Sequence, residues 1–85
     1  MTRDWSVLVP KTKVVTAVRA LERNNIWWCG SKAPVKTEDI FEYTRRYKNV
    51  YLNVVENEFY FMPRETGKLV QYNEFVVRSK RNGIW

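Results

Sequence analysis

Lysine and arginine residues gather at three places in this 85-residue chain, 32–36, 45–48 and 78–81, and each place has a tryptophan or tyrosine close to it in sequence. Phosphate groups bind cations, and an unstacked base gains about 1–3 kcal/mol by stacking on a flat aromatic ring. RNA-binding proteins in particular recognise such splayed bases. The pattern therefore favours binding of RNA or of an acidic partner surface. The candidate residues are Lys32, Lys36, Arg45, Arg46, Lys48, Arg78, Lys80, Arg81, Trp28 and Trp85.

The same residue types also have ordinary structural roles. Arg45, Arg46 and Lys48 follow a predicted helix, where cations complement the negative end of the helix dipole. Other lysines and arginines can be solvated, and tryptophan and tyrosine often fill hydrophobic cores. The basic clusters are therefore consistent both with a binding surface and with a solvated cationic surface.

A second candidate surface is a tyrosine-bearing face of the predicted sheet. It carries Tyr51, Tyr60 and Tyr72. Tyrosine, tryptophan and arginine are the residue types enriched at the centres of protein interfaces. If helices cover one face of the sheet only, the other face is free to dock a protein or a second copy of the chain. The alternative hypothesis is thus a protein-directed inhibitor or a homo-oligomer that needs no nucleic acid.

The composition argues against catalysis and against a cofactor. Histidine is absent and Cys29 is the single cysteine, so neither a Cys-His nucleophile nor the usual zinc ligand set can form. Cys29 lies in an apolar run and is predicted to be a small core residue. A divalent-dependent nuclease using Glu56 or Glu58 is a distant third hypothesis. We expect a non-enzymatic protein without metal.

Composition also bounds the size and the location of the protein. The chain carries 15 Lys and Arg against nine Asp and Glu, for a net charge of +6, and 45% of its residues are hydrophobic. This predicts one domain over 1–85 with a basic C-terminal tail at 78–85. No apolar run approaches the roughly 18 residues of a membrane span, and no signal peptide is recognisable. A single cysteine fits a reducing compartment, so we expect a cytoplasmic protein without membrane contact.

The first half of the chain predicts strand, helix and strand. Residues 5–9 are rich in strand-forming types, and a helix over 13–24 follows with Thr12 as its N-cap. Its apolar spacing predicts a core-facing stripe, with Glu22 on the solvated side. Residues 26–29 are predicted to form a buried central strand, because the preceding Asn pair and the following Gly30 disfavour the alternative of a continuing helix.

The second half predicts a helix, a hairpin and a last strand. A helix over 38–47 has Thr37 as its N-cap, and the strands 50–55 and 58–62 alternate in hydrophobicity around a tight turn. Residues 68–77 are predicted to complete an antiparallel meander. The order β-α-β-α-β-β-β gives a two-layer α+β domain, with two helices on one face of a mixed, mostly antiparallel sheet.

Several of these segments resemble small accessory proteins of T4-type tailed phages. The resemblance covers residues 14–62 and is carried by a helix that ends in Asn-Asn, by Ile-Trp-Trp-Cys-Gly, by Tyr-Leu-Asn-Val and by Phe-Tyr-Phe. Many proteins of that kind inhibit a host defence or metabolic enzyme, and some that inhibit ribonuclease toxins of toxin-antitoxin systems act together with RNA. The resemblance thus implies a non-catalytic anti-defence protein in the bacterial host cytoplasm, with RNA and a host toxin or nuclease as partners. It assigns no individual residue.

Overall fold

In the computed structural model, which describes residues 4–81, the chain is an α+β domain whose strands and helices share one hydrophobic core. The elements of this part of the chain are β1 (Trp5–Val9), α1 (Val14–Arg23), β2 (Trp27–Trp28), α2 (Thr37–Thr44), β3 (Val50–Val55), β4 (Glu58–Met62), β5 (Lys68–Val70) and α3 (Tyr72–Ser79). A short 3₁₀-helix, Lys11–Lys13, joins β1 to α1. The predicted α+β class is confirmed.

The strands form one sheet in the order β2-β4-β3-β1-β5. The β1–β3 and β3–β4 pairs are antiparallel, and the β1–β5 and β2–β4 pairs are parallel. Of these strands β3 alone therefore opposes the rest. The sheet is mixed as predicted. Two of its four strand pairs are antiparallel and two are parallel, because each edge strand pairs in parallel with its neighbour.

The core lies between one face of the sheet and the helices. Val7 pairs with Leu52 and Val9 with Val50, and all four side chains are buried on this face. The predicted stripe of α1 is confirmed, since its residues Val14, Ala17, Val18 and Leu21 are all buried. Full burial of each larger aliphatic or aromatic side chain stabilises the fold by about 1.5–3 kcal/mol. The helices thus form one layer and the sheet the other.

A loop crosses the opposite face of the sheet. The amide of Asn53 donates to the Arg64 carbonyl at 3.4 Å, and the Thr66 N–H donates to the Ser6 hydroxyl at 3.3 Å. Segment 63–67 therefore passes over β3 and β1 on its way from β4 to the parallel strand β5. This segment joins β4 to β5, and α1 joins β1 to β2. Each connection links two parallel strands, but the two connections cross the sheet in opposite directions. Crossovers of one handedness that run in opposite directions must lie on opposite faces, as these two do.

The prediction of a central strand at 26–29 is wrong in position and extent. Only Trp27 and Trp28 form β2, and β2 is an edge strand paired with β4. The β3–β4 hairpin lies between it and β1, which a local sequence pattern does not reveal. Asn25 has a φ of 62° and ends the preceding helical segment, so the continuing-helix alternative is excluded. Cys29 is exposed and is not the predicted core residue.

The prediction of a last strand over 68–77 is wrong beyond residue 70. Strand β5 ends at Val70 and pairs parallel with β1, so it does not complete a meander. Residues 72–79 form α3, a third helix, in which Tyr72, Phe75 and Val76 pack against the core at the i, i+3, i+4 spacing of a helix face. Tyr72 consequently lies on a helix and does not share a sheet face with the other two candidate tyrosines.

Neither predicted threonine cap forms. Thr12 lies within the 3₁₀-helix, and Lys13 is at the N-cap position of α1 without a side-chain hydrogen bond. Thr37 is already inside α2, and its hydroxyl accepts a hydrogen bond from Arg19 at 3.1 Å. Helix α2 also ends at Thr44, three residues earlier than predicted.

Two glycines with positive φ give a stability test of the crossing loop. Gly67 has a φ of 72°, and a Cβ there would meet the backbone carbonyl of Asp4. Gly30 has a φ of 81°, and a Cβ there would have nothing within 4 Å. We expect Gly30→Ala to lower the free energy of unfolding by roughly 1–2 kcal/mol from backbone conformation alone. Gly67→Ala adds a steric clash and should cost about 3 kcal/mol. Urea unfolding of both variants measures this, and equal losses would contradict the described loop packing.

Candidate nucleic-acid interface

The antiparallel pairing of β1 with β3 brings two basic segments together at one end of the sheet. Val9, the last residue of β1, lies opposite Val50, the first residue of β3. The segment after β1 and the segment before β3 are therefore neighbours. Lys11 Nζ donates to the backbone carbonyl of Arg45 at 3.4 Å, across 34 positions of the chain. We call the five cations of these segments the basic end: Lys11, Lys13, Arg45, Arg46 and Lys48.

The basic end is exposed and has little compensating negative charge. Arg45 makes an ion pair with Glu42 at 3.4 Å, but both side chains are more than 60% exposed, so this pair contributes little stability. Within residues 4–81, Lys13, Arg46 and Lys48 form no hydrogen bond or ion pair through their side chains. Three of the five cations thus remain available to a ligand.

The acidic residues concentrate elsewhere on the domain. Asp4 precedes β1, and Glu56 and Glu58 lie at the turn of the β3–β4 hairpin, which is the far end of the sheet. The far end is mixed in charge, because Lys68 and the cations of 78–81 also lie there, whereas the basic end has five cations and one paired carboxylate, Glu42. An end with such an excess of positive charge attracts anionic ligands over distances beyond direct contact.

Interaction with a helix dipole explains the positions of only some of the cations in the basic end. Arg45, Arg46 and Lys48 follow the C-terminus of α2, where positive charge is favourable. Lys11 and Lys13 instead lie at the N-terminus of α1, where positive charge is unfavourable, and the first turn of α1 contains no acidic residue. These two lysines are therefore poorly placed for the stability of their own helix.

An open groove of about 430 Å³ adjoins the basic end. It forms because β5 stops at Val70, which pairs with Val7, whereas β1 continues to Val9. Its apolar residues include Leu8 and Leu69, which are 41% and 39% exposed. The full lining is Leu8, Val9, Pro10, Lys11, Lys48, Asn49, Leu69, Val70, Gln71 and Tyr72.

The polar part of the groove contains amides, lysines and a phenol. The side chains of Asn49 and Gln71 form no hydrogen bond with any other residue of 4–81. Desolvation by burial raises the pKa of Tyr72, so its hydroxyl is protonated and can donate a hydrogen bond at neutral pH. The groove thus offers an apolar surface with cations and free amides at its rim.

The segment after β2 is fixed to the domain by Glu22, a residue whose burial the sequence analysis predicted wrongly. Glu22, predicted to be solvated, is buried; it accepts hydrogen bonds from the Val35 N–H at 2.9 Å and from Arg19 at 2.8 Å. The Gly30 N–H donates to Glu58 at 3.2 Å. Both ends of this segment are therefore fixed to the domain.

The candidates Lys32 and Lys36 are exposed on that segment. Glu38 and Asp39 follow in the first turn of α2, and Glu58 contacts the start of the segment. Three carboxylates accompany two lysines, so this region has no net positive charge. It is a weaker electrostatic site than the basic end.

The third basic cluster is remote from the basic end. Arg78 pairs with Glu74 at 3.1 Å, and Lys80 and Arg81 follow α3 as exposed residues. Asn24, just after α1, donates to the Ser79 carbonyl at 3.1 Å, which places this cluster at the opposite end of the sheet from the basic end. Trp85 lies outside the described residues. The structure therefore does not unite the three clusters into one surface.

Trp28 is part of an aromatic cluster. Its ring stacks on Tyr43 with centroids 4.8 Å apart and an interplanar angle of 4°. Its ring also contacts Phe59 and Phe61 at 5.7 and 5.4 Å. One face of the indole is thus covered by Tyr43, itself 43% exposed. Trp28 contributes to packing, and its stacking on a base stays a prediction.

Tyr51 and Tyr60 lie on the face of the sheet that carries the crossing loop. Tyr51 pairs with Met62 and Tyr60 with Asn53, so the two tyrosines are diagonal neighbours across β3 and β4. Both are partly exposed. The third candidate, Tyr72, lines the groove instead.

Two cations of the basic end were missed by the sequence reasoning. Lys11 and Lys13 are isolated along the chain and join Arg45 only through the sheet register. One signal was present: residues 5–21 contain Lys11, Lys13 and Arg19 but no aspartate or glutamate. That charge imbalance marks the β1–α1 connection as a cationic surface.

No protein-family model, curated protein or solved structure matches this chain. Within residues 4–81, no group of three or more cysteine and acidic side chains is arranged to hold a metal ion. No helix in the same residues is long and apolar enough to cross a membrane.

The role of Glu22 can be tested by truncation. Glu22→Ala removes the buried acceptor of the Val35 N–H, and we expect a loss of about 2 kcal/mol in the free energy of unfolding. Faster amide hydrogen exchange at Val35 should accompany it. The matched control is Glu42→Ala, which breaks an exposed pair and should cost less than about 0.5 kcal/mol. Unchanged exchange at Val35 would show that Glu22 does not hold this segment.

Proposed function

We propose that this protein binds single-stranded RNA through the basic end and acts by binding, without catalysis. One observation carries the proposal. The sheet register places Lys11 against Arg45, so that cations remote in sequence form one exposed end with a single paired carboxylate. The apolar groove beside that end supplies a surface for an unstacked base.

Neutralisation of phosphates by the cations determines how the RNA affinity should depend on salt concentration. Each phosphate neutralised on a single strand contributes a slope of about −0.7 to the dependence of log K on log salt concentration. Five cations therefore allow a slope of up to about −3.5. Lys11 and Lys13 support the proposal further, because they lie at a helix N-terminus where they do not stabilise the helix. A strand of phosphates gives these lysines a favourable partner.

The resemblance to phage accessory proteins extends the proposal to a protein target. On that basis the RNA-bound protein inhibits a host toxin or ribonuclease in the bacterial cytoplasm. An RNA-dependent inhibitor fits a domain that offers a basic end for RNA and a separate tyrosine-bearing sheet face. Affinity capture with and without ribonuclease treatment tests this extension: a target retained only with intact RNA supports it, and retention unaffected by ribonuclease contradicts it.

Removal of matched charges tests which basic cluster binds RNA. We expect Arg46→Gln with Lys48→Gln to lower the magnitude of the salt slope by about 1.4, because two phosphate contacts are lost. Neither side chain makes a hydrogen bond or ion pair within residues 4–81, so stability should be unchanged. The control is Lys32→Gln with Lys36→Gln, which removes the same charge from the segment after β2. Fluorescence anisotropy of a labelled oligonucleotide at several salt concentrations measures both.

Two results would contradict this assignment. Absence of RNA binding at low salt would remove the electrostatic basis of the proposed function. A larger loss of slope for the Lys32 and Lys36 pair than for the Arg46 and Lys48 pair would move the interface to the segment after β2.

A second candidate function is association with another copy of this chain through the face that bears Tyr51 and Tyr60. The observation that favours it is the exposure of these side chains on the face opposite the helical layer. Tyrosine is a frequent hot-spot residue, with losses of 2 kcal/mol or more on truncation to alanine.

Sedimentation velocity tests the self-association. We expect Tyr51→Ala with Tyr60→Ala to weaken a dimer at least about 30-fold, the equivalent of 2 kcal/mol. The matched control is Arg46→Gln with Lys48→Gln, which should leave the dimer intact. A wild-type protein that remains monomeric at high micromolar concentration would dismiss this candidate.

A further inference from the structure

We infer that the groove beside the basic end holds one unstacked purine base of the bound strand. This inference rests on the proposed function, since it requires a single-stranded nucleic acid at the basic end. The proposed function uses the groove only as a surface for an unstacked base, and this inference adds a preference for the kind of base.

The apolar part of the groove is suited to the face of a base. Leu8 and Leu69 lie on the same face of the sheet, because Leu69 pairs with Ser6 and Leu8 is two residues further along β1. Both are large aliphatic side chains about two-fifths exposed. Covering them with a flat ring removes apolar surface from water, which is favourable at about 25 cal/mol per Å². The volume of about 430 Å³ lies within the usual range of small-molecule sites.

The amides at the rim can read the edge of the base. Asn49 and Gln71 both line the groove, and neither side chain has a hydrogen-bond partner within residues 4–81. A carboxamide presents a donor and an acceptor side by side. Adenine presents the complementary pair at its N6 and N7 positions, and Asn or Gln is its usual side-chain partner. In a single strand the N3–H and O4 of uracil and the N4–H and N3 of cytosine offer a similar pair, so the amides bind a base edge of any of these types. A preference for adenine over the pyrimidines comes instead from its larger double ring, which covers more of Leu8 and Leu69.

The charges at the rim indicate a nucleotide and not a neutral apolar ligand. Lys11 and Lys48 both line the groove and belong to the basic end. A phosphate on either side of the inserted base would lie against these ammonium groups, whereas a hydrocarbon ligand has no use for them. Tyr72 also lines the groove, and its phenol is a neutral donor.

Four labelled hexanucleotides of equal charge test the inference by fluorescence anisotropy with the full chain: oligo-A, oligo-U, oligo-C and an abasic strand. We expect oligo-A to bind about tenfold more tightly than the abasic strand, with oligo-U and oligo-C between the two. Asn49→Ala with Gln71→Ala should weaken oligo-A, oligo-U and oligo-C by similar factors and leave abasic binding unchanged. The matched control Asn73→Ala, an exposed amide of α3 outside the groove, should leave the binding of all four strands unchanged.

A second pair of variants separates the apolar contact from the amide contact. Leu8→Thr with Leu69→Thr should remove the preference for oligo-A over oligo-U and leave the abasic strand unaffected. The control Val77→Thr changes an apolar residue of α3 that is 53% exposed and does not line the groove, and it should have no effect.

The outcomes distinguish this inference from the proposed function. Equal binding of all four wild-type strands would overturn the base-reading groove while leaving phosphate binding by the basic end in place. A preference for oligo-A that survives both double variants would also overturn it, because the base would then be read elsewhere. Failure of every strand to bind at low salt would overturn the proposed function and this inference together.

Discussion

The antiparallel register between β1 and β3 is the constraint on which the rest of this domain depends. It places Val9 opposite Val50 and Val7 opposite Leu52, so that all four fill the core face of the sheet. A shift of one residue would turn these apolar side chains to the other face, which makes the register strongly specified. The same register decides which connections meet at the ends of the strands. The core therefore positions the basic end, although all five cations of the basic end are exposed and none belongs to the core.

The short length of β5 is the second feature that shapes the candidate interface. Because β5 ends at Val70, the last residues of β1 have a neighbouring strand on the β3 side only, and the chain turns directly into α3. The groove occupies the space that a longer strand would have filled. Its apolar lining includes Leu69 and also Leu8, which has no partner on the β5 side. Its lysines come from the connections that the β1–β3 register brings together. One sheet geometry generates both parts of the interface.

The sequence predicted those elements whose signal is local. The stripe of α1 and the alternation of the hairpin at 50–62 depend on spacing within one segment, and both are confirmed. Helix α3 was missed because Tyr72, Phe75 and Val76 are residue types that favour strands, and tertiary packing overrides that preference. The edge position of β2 was missed because it depends on a hairpin formed later in the chain. Lys11 and Lys48 meet at the groove only through long-range pairing, which no local pattern reports.

Chemical-shift mapping of the isotope-labelled protein with a single-stranded RNA oligonucleotide tests the central claim most directly. Binding at the basic end predicts perturbed backbone amides in three separate segments, 8–13, 45–49 and 69–72, which adjoin one another only in the folded sheet. The perturbations should shrink together as salt is added. Perturbations confined to 31–36, or to the strands that carry Tyr51 and Tyr60, would contradict the assignment of the RNA interface to the basic end.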